Sequence, residues 1–389
     1  MGPAGGPLWR IPRWQGPRDP KGAVRRADLL PAAGRGVHRS RGCAAILRGL
    51  RGREGGLHPG GLEVSRFGAA ILGCAGERLT AEEKSLYAEM KPFGFILFAR
   101  NLADADQIRA LCDELRSAAG FEAPVFIDQE GGRVQRLRPP LARDFAPPLA
   151  EADTGARAFW LRARIIAHEL RGLGIDGNCI PTLDVARDQT HAILRNRCYG
   201  TDVATVVANG RAVAEGLLAG GVLPVMKHMP GHGLGTLDSH KDLPRVAAEP
   251  EALRAVDFAP FAALSDLPLA MTAHLVFEAI DPRPATVSER MVRLIREEIG
   301  FGGLLMTDDI SMEALSGTVA DRGRAALAAG CDVVLHCNGD LPEMRALAEV
   351  CRTMEPAAQT RAEAALAARR TPDAVDIDAL NAEFDALIA

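Results

Sequence analysis

Short apolar runs alternate along this chain with longer segments in which apolar residues recur every three or four positions, starting near Phe67. The short runs are typical of buried strands, and the longer segments are typical of helices with one apolar face. A strand and a helix that alternate eight times over roughly 290 residues predict a closed parallel (β/α)₈ barrel of the TIM type, in the α/β class. The predicted strands are residues 67–73, 94–99, 124–128, 175–181, 221–226, 268–273, 303–307 and 332–336.

Several predicted helices carry start signals. Thr80 with Glu83, and Asp104 with Gln107, match the capping box, in which two side chains and two backbone N–H groups bond reciprocally. An open doubly wound sheet is the alternative architecture, but residues 73–76 lack the Gly-rich phosphate turn expected after its first strand. Further helices are predicted at residues 156–172, 203–219, 250–265, 289–299, 320–329 and 341–353, with one or two Ala-rich helices at 358–389 that pack outside the barrel or trail from it.

The N-terminal segment follows no such pattern. Residues 1–65 hold twelve Lys or Arg against four Asp or Glu, with abundant Gly and Pro, and cannot bury a core. We interpret them as a basic leader that is disordered, or as sequence upstream of a native start near Val64. They lack the apolar segment of a secretory signal. The expected organisation is then a barrel at 66–355 and a C-terminal helical tail at 356–389.

Composition narrows the possible functions. A net charge of −4 gives no reason to expect a nucleic-acid partner, and no run of 18 apolar residues predicts a membrane span. The eight Cys are scattered singly without a C-x-x-C pair, as expected for small core residues in a reducing cytosol. No dinucleotide or Walker motif is present, so we expect no cofactor, and the chemistry must come from side chains.

Polar side chains follow five of the predicted strands. They are residues 128–136 after the third strand, Asp184 and residues 195–197 after the fourth, 227–240 after the fifth, His274 after the sixth and 307–311 after the seventh. Active sites of (β/α)₈ barrels lie at the carboxyl ends of their strands. We therefore expect these side chains to meet at one rim of the barrel.

Residues 227–240 place three His, a Lys and an Asp on a Gly-rich loop. Two other interpretations are a metal site and an inert surface loop. The His spacing does not fit the helical i, i+4 pattern of zinc enzymes, so we expect no metal. Asp238 and His240 are two residues apart, which lets the carboxylate orient an imidazole that both donates and accepts protons near neutral pH. Because Gly231, Gly233 and Gly235 interrupt the loop, we expect His240 to reach its substrate by loop closure.

Asp308 ends the apolar run 304–306 and would face the same opening as Asp128 and Lys227. Its neighbour Asp309 points the other way by strand alternation, so we assign it a supporting role. A nucleophilic carboxylate, a proton shuttle and hydroxyl-binding polar groups are the parts that retaining glycoside hydrolysis requires. The usual second carboxylate would be replaced here by a histidine.

Three segments, residues 127–136, 227–233 with 238–240, and 303–312, resemble the bacterial β-N-acetylhexosaminidases of glycoside hydrolase family three, which recycle peptidoglycan fragments in the cytoplasm. The resemblance extends over about residues 67 to 350. It implies a (β/α)₈ barrel, a retaining mechanism and release of N-acetylglucosamine from the non-reducing end of a small muropeptide. We expect no nucleic-acid or membrane partner and a monomeric protein.

The resemblance also implies roles for individual residues. Asp308 matches the nucleophile, His240 the acid/base and Asp238 the partner of that histidine. The positions that hold the sugar are matched by Asp128, Arg136, Arg197, Lys227 and His228. Arg197 is implied by the resemblance alone.

The chain departs from the family at a few points. Met229 stands where the family usually has Phe or Ser, and the basic leader has no counterpart. Family members with a second domain, such as β-glucosidases, lack the Asp238-Ser239-His240 element, so we expect no second domain here. Two other functions stay open. A histidine acid/base leaves a site without a repelling carboxylate, so phosphate can replace water and the protein would be a glycoside phosphorylase. An inactive sugar-binding barrel is the other alternative, disfavoured because candidates for nucleophile and acid/base are both present.

Overall fold

A computed structural model describes residues 66–237 and 243–389. Its centre is a closed barrel of eight parallel strands, which confirms the predicted (β/α)₈ architecture. The barrel strands are β1 (Gly68–Gly73), β2 (Pro92–Leu97), β3 (Val125–Ile127), β6 (Gly177–Asn178), β7 (Leu223–Met229), β9 (Leu269–Thr272), β11 (Leu304–Asp309) and β12 (Val333–His336). Around the barrel they follow the order β1-β12-β11-β9-β7-β6-β3-β2.

Helices surround this barrel, and short strands outside it form two small pairs. The pairs are β4 (Gln129–Gly131) with β5 (Val134–Gln135), and β8 (Arg245–Val246) with β10 (Val276–Phe277). The helices are α1 (Ala81–Met90), α2 (Ala105–Ala119), α3 (Ala156–Gly172), α4 (Ala192–Arg195), α5 (Val203–Ala219), α6 (Pro250–Val256), α7 (Ala259–Ala263), α8 (Glu289–Glu297), α9 (Val319–Ala329), α10 (Leu341–Cys351), α11 (Pro356–Ala367) and α12 (Ile377–Ile388).

Two helix predictions need correction. The helix predicted at 250–265 is divided into α6 and α7 because Pro260 has no N–H to continue the helical hydrogen bonds. The capping box predicted at α2 is incomplete. Asp104 does cap the helix by accepting from the N–H of Gln107, but the Gln107 side chain accepts from the N–H of Ala103 instead of Asp104. The capping box of Thr80 and Glu83 is present as predicted.

Ion pairs of side chains at the amino ends of the strands stabilise the base of the barrel. Asp176, which precedes β6, accepts from Arg116 and Arg369, and Asp332, which precedes β12, accepts from Arg296 and Arg361. Arg361 belongs to α11, and Arg369 follows it. The helix α11 is therefore fastened to the base by ion pairs with nearly buried carboxylates.

The helix α12 packs against the segment that follows the β4–β5 hairpin. The ring of Phe384 lies 5.7 Å from that of Phe145, and Arg143 stacks on both rings while it bonds to Asn381. The backbone carbonyl of Phe145 accepts from Gly132 N–H at 2.7 Å, within the hairpin. The C-terminal helix thus supports the hairpin through one intervening segment.

All seven cysteines in the described residues are buried and unpaired, as expected for core residues. Cys43 lies in residues 1–65, which are outside the described part of the chain, as is the predicted leader itself. No helix in residues 66–237 and 243–389 is long and apolar enough to cross a membrane.

Glu169 on α3 is a half-buried residue whose carboxyl forms no ion pair in residues 66–237 and 243–389. Its Oε1 accepts from Arg143 N–H at 2.8 Å, and its Oε2 atom is buried with no hydrogen-bond partner among the residues that the structure describes. Burial raises the pKa of Glu169 from its ordinary value of 4.5 to about 7. Folding therefore favours the protonated carboxyl, whose contribution to stability is full below about pH 4.5 and is lost as the pH rises through about 7.

The Glu169→Gln variant should reveal this penalty, because the amide stays neutral at every pH. At pH 8 its free energy of unfolding should exceed that of the wild type by about 1–3 kcal/mol, and the gain should shrink toward pH 5. Urea unfolding at both pH values measures the difference. Glu122→Gln, at a side chain that is 82% exposed, is the control and should show no such trend. A gain from Glu169→Gln that is the same at both pH values would contradict the argument.

Candidate active site

A cavity of about 360 Å³ opens at the carboxyl ends of the barrel strands. It is lined by six of the eight predicted site residues: Asp128, Arg136, Arg197, Lys227, His228 and Asp308. The other two, Asp238 and His240, lie outside the described residues. The structure thus brings together side chains from four separate parts of the sequence, as expected for strands that end at one rim.

Asp128 follows β3 and holds two cations over the cavity floor. Lys227 Nζ lies 2.8 Å from its Oδ1, and Arg136 Nη2 lies 3.1 Å from its Oδ2. Burial opposes ionisation of Asp128, but the charges of Lys227 and Arg136 outweigh it and hold the pKa of the carboxyl well below its usual range. Asp128 is therefore an ionised hydrogen-bond acceptor at neutral pH.

Glu130 is a second buried carboxylate, and the sequence interpretation did not assign it a role. Its two oxygens accept from Arg197 Nε and Nη2 at 2.8 and 2.7 Å, and Lys227 Nζ lies 2.7 Å from Oε1. Burial opposes ionisation here too, but Arg197 and Lys227 lower the pKa of Glu130 to about 2. Its position two residues after Asp128 could have indicated a role in the site, because alternate residues lie on the same side of an extended chain. Glu130 orients both cations from behind the cavity wall.

His228 is oriented by Asp184 and Arg197. Its Nδ1 lies 2.7 Å from Asp184 Oδ2, and its Nε2 lies 3.3 Å from Arg197 Nη2. Because Arg197 can only donate, the contacts fit an imidazole that donates from Nδ1 to Asp184 and accepts at Nε2. Asp184 Oδ1 also accepts from His232 N–H at 2.6 Å. Asp184, noted only as a polar residue after the fourth strand, is thus a support for the loop that follows β7.

Lys227 and His228 belong to β7 itself, which extends to Met229, beyond its predicted end at 226. The bond between Lys227 and His228 is cis, and both side chains line the cavity. Neighbouring segments complete the hydrogen bonding of this extension, because Leu183 N–H donates to Lys227 O and Ala273 N–H donates to Met229 O. The predicted Gly-rich loop therefore begins after Met229.

Asp308 lies near the end of β11 with one oxygen bonded and the other free. Its Oδ1 accepts from Asp309 N–H at 2.8 Å, and Oδ2 has no hydrogen-bond partner among the described residues. Burial opposes ionisation, but the Asp309 N–H and the Lys227 charge favour the carboxylate and hold the pKa of Asp308 below its usual range. The carboxylate thus presents an ionised oxygen to the cavity.

Asp309 is held differently from Asp308. Its Oδ1 accepts from the N–H and hydroxyl of Ser311 and from Cys337 N–H, and its carbonyl oxygen accepts from His274 Nε2 at 2.9 Å. Burial lowers the pKa of His274, so a neutral ring with the proton on Nε2 donates this bond. His274 and Asp309 therefore fix the backbone beside Asp308.

The glycines after Met229 allow close packing. A Cβ at Gly231 would lie 2.8 Å from Asp257 O, and one at Gly233 would lie 2.3 Å from Val185 O. A Cβ at Gly235 would lie 2.5 Å from His232 Nδ1. These close approaches give the three glycines a structural reason that does not depend on loop flexibility. Closure of the loop over a substrate concerns His240 and stays a prediction.

His232 is a buried histidine in the cavity wall. Its Nδ1 has no hydrogen-bond partner in the described part of the chain, and burial lowers the pKa of His232 to about 4. The ring is therefore neutral at physiological pH. Within residues 66–237 and 243–389, no group of three or more His, Cys, Asp and Glu side chains is arranged as metal ligands.

The cavity thus combines Asp308, whose Oδ2 has no hydrogen-bond partner in residues 66–237 and 243–389, with a rigid set of donors and acceptors. Asp128 accepts, Arg136, Arg197 and Lys227 donate, and their mutual ion pairs fix their positions. Such a set suits a ligand with several hydroxyl groups, which both donate and accept. The free oxygen of Asp308 can attack an electrophilic carbon of that ligand.

Comparisons with known proteins agree with this geometry. The sequence profile described as "Glycosyl hydrolase family 3 N terminal domain" matches residues 62–370. A β-hexosaminidase of Alkalilimnicola ehrlichii is 37% identical over 287 residues, which cover 70% of this chain and 81% of the relative.

Solved structures give the same result. NagZ from Neisseria gonorrhoeae, in complex with N-trifluoroacetyl-D-glucosamine, aligns with a TM-score of 0.73 and 29% identity over 84% of this chain and 99% of that chain. A glycoside hydrolase family 3 β-N-acetylglucosaminidase from Paenibacillus sp. str. FPU-7 aligns with a TM-score of 0.73 and 28% identity over 82% of this chain, and this chain spans 66% of its length.

Proposed function

The chain belongs to glycosyl hydrolase family 3 and is a β-N-acetylhexosaminidase, and from this premise we propose that it releases N-acetylglucosamine from cell-wall muropeptides with retention of configuration. The observation that carries the proposal is the ionised Asp308, whose Oδ2 has no hydrogen-bond partner among the described residues, while the other carboxylates that line the cavity are all engaged. Asp128 and Glu130 are neutralised by cations, and Asp309 is bonded to Ser311 and Cys337. Asp308 is the carboxylate left for nucleophilic attack.

The proposed reaction has two steps. In the first, Asp308 Oδ2 attacks the anomeric carbon, the glycosidic bond breaks, and His240 gives a proton to the departing oxygen. In the second, His240 takes a proton from water, whose oxygen attacks the same carbon and releases Asp308. Each step inverts the anomeric centre, so the product keeps the β configuration. Asp238 is assigned to orient the imidazole and to stabilise its charged form.

The sugar would be held by the network on the cavity floor. Asp128 accepts from sugar hydroxyls, while Arg136, Arg197 and Lys227 donate to hydroxyl oxygens and His228 completes the set. His232 and His274 are neutral and add no positive charge that would pair with Asp308 and weaken it as a nucleophile. The N-trifluoroacetyl-D-glucosamine bound by the Neisseria gonorrhoeae protein supports an N-acylated glucosamine as the occupant here.

The muropeptide substrate, the recycling role, the cytoplasmic location and the monomeric state belong to the proposal. A reducing compartment suits a chain whose seven described cysteines are buried free thiols. A monomer is supported by the few large apolar side chains that the described residues expose, which are Leu237, Val375, Leu387 and Ile388.

Phosphorolysis remains the second candidate, since the cations in the cavity wall would also favour phosphate. The test uses the purified full chain and 4-nitrophenyl N-acetyl-β-D-glucosaminide. We expect hydrolysis at a rate that phosphate does not change, with the β anomer of N-acetylglucosamine formed first by proton NMR. Formation of N-acetylglucosamine 1-phosphate would establish the phosphorylase, and an α anomer formed first would refute retention. Absence of turnover would favour the inactive sugar-binding barrel.

A further inference from the structure

The strand β11, which carries the candidate nucleophile, does not pair evenly with its neighbour β12. Met306 lies opposite Val333 on β12. Asp309 lies opposite Leu335, so three steps along β11 match two steps along β12. The extra residue falls between these two pairs, where Asp308 lies. An extra residue of this kind bends a strand and redirects a side chain. The shift in pairing therefore affects where the carboxylate of Asp308 points.

Thr307 supplies a hydrogen-bond acceptor at this shift. Its side-chain Oγ1 accepts from the N–H of Leu335 at 2.9 Å, and the carbonyl oxygen of Leu335 accepts from Ile310 N–H. Because Thr307 is 0% exposed, water cannot replace its hydroxyl as the acceptor. The strands β11 and β12 thus stay joined across the shift through a side-chain oxygen.

His274 makes a matching contact on the other side of β11. The strand β11 pairs with β9 as far as Met306, and β9 ends at Thr272. Beyond these residues, His274 Nε2 donates to the carbonyl oxygen of Asp309 at 2.9 Å. An imidazole therefore continues the connection between the two strands past their last backbone pair.

Two buried hydroxyl groups orient the His274 ring. Its Nδ1 lies 2.7 Å from Thr286 Oγ1, which lies 2.8 Å from Thr272 Oγ1. The carbonyl oxygen of Asp309 can only accept, so Nε2 carries the proton and Nδ1 of the neutral ring accepts from Thr286. Thr286 then accepts from Thr272. All three side chains are fully buried, and these bonds hold the ring in one orientation.

We propose that Thr307 and His274 are positioning residues for Asp308, which together hold the shifted end of β11 and so fix the direction of its carboxylate. With the backbone held on both sides, Asp309 N–H bonds to Asp308 Oδ1 at 2.8 Å and leaves Oδ2 for the reaction. Neither positioning side chain lines the cavity, so both act through Asp308 and not on the sugar. The inference rests on the proposed function, in which Asp308 is the nucleophile.

Thr307→Val tests the hydroxyl, because valine keeps the shape of threonine but cannot accept from Leu335 N–H. The kcat/KM values for the 4-nitrophenyl and methyl N-acetyl-β-D-glucosaminides should both fall about ten- to hundredfold, since a small displacement of the nucleophile slows every attack. The inhibition constant of N-acetylglucosamine should change less than about twofold, because the sugar-holding side chains lie on other strands. Thr307→Ser keeps the oxygen and should bring kcat/KM to within about threefold of the wild type.

A second pair of variants, His274→Leu and His274→Gln, repeats the test from the other side of β11. Leucine cannot donate to the carbonyl oxygen of Asp309, so His274→Leu should lower kcat/KM with little change in the inhibition constant. Glutamine can place an amide N–H near the position of Nε2, so His274→Gln should recover much of the loss. If Thr307→Val does not fold, this pair decides the question.

Thr182→Val is the matched control. Thr182 is also fully buried and pairs with Lys227 on β7, but its Oγ1 has no hydrogen-bond partner in residues 66–237 and 243–389. This variant should leave kcat/KM unchanged. An inhibition constant that rises as much as kcat/KM falls, or a Thr307→Ser variant no better than Thr307→Val, would refute the positioning role. A wild type that hydrolyses neither glycoside would refute the proposed function instead.

Discussion

Replacing Asp308 by Ala is expected to reduce kcat for N-acetylglucosaminides by about 10⁴-fold or more, because it removes the nucleophile. Asp309→Asn should have a milder effect. Asp309 supports the backbone through Ser311 and Cys337, and an asparagine oxygen can accept the same bonds. Steady-state kinetics with 4-nitrophenyl N-acetyl-β-D-glucosaminide and thermal unfolding curves for both variants separate loss of chemistry from loss of fold.

A small nucleophile gives this prediction a second readout. In Asp308→Ala, azide can enter the vacated space and attack the anomeric carbon once, which would give the α-glycosyl azide. Asp309→Asn keeps the original nucleophile and should give no α-glycosyl azide. Equal losses in the two variants, or azide rescue of Asp309→Asn alone, would show that the nucleophile is assigned to the wrong aspartate.

Replacing His240 by Ala should slow substrates with poor leaving groups most, because a departing alkoxide needs a proton and a departing dinitrophenolate hardly does. The expected loss in kcat/KM is about 10²- to 10⁴-fold for a methyl or disaccharide glycoside and far smaller for the 2,4-dinitrophenyl glycoside. The ratio kcat/KM reports the first irreversible step, which is formation of the glycosyl enzyme. Activated substrates should then show a burst, because the second step lacks its base.

His168→Ala is the matched control for this variant, since His168 is exposed on α3, away from the cavity. It should leave kcat/KM unchanged for every substrate. If His240→Ala slows activated and natural glycosides by the same factor in the first step, His240 is not the acid. A slope of log kcat/KM against leaving-group pKa that steepens in the variant supports the assignment.

The barrel was predictable because most of its strands are short apolar runs between polar segments, although β6, Gly177–Asn178, is not apolar. The strand ends were harder to place. The apolar composition of the sequence predicts that β7 ends before Lys227. The strand continues to Met229 because Leu183 and Ala273 complete its hydrogen bonds. Those partners lie 44 residues away in each direction along the chain. No pattern within the strand's own sequence reveals them.

In the candidate site, too, some residues can be identified from their neighbours in sequence, whereas other contacts join residues that are distant in sequence. Asp128 and Lys227 stand out in sequence because they follow apolar runs. The bond between Glu130 and Arg197 spans 67 residues and depends on how the loop after β6 returns to the hairpin. We interpreted the glycines of the loop after β7 as a source of conformational freedom for that loop. Their close neighbours Asp257 and Val185 belong to other segments, so their packing role is visible only in three dimensions.

The helix α12 shows that the residues matched by the family profile do not include all the residues that support the binding site. The family profile ends at residue 370, while α12 begins at Ile377 and supports the segment that carries Arg143 and Phe145. That segment is bonded to the hairpin on which Arg133 and Arg136 lie. A shortened protein that ends where the family profile ends would keep every residue assigned to catalysis. It would lose α12 and therefore bind the sugar less tightly.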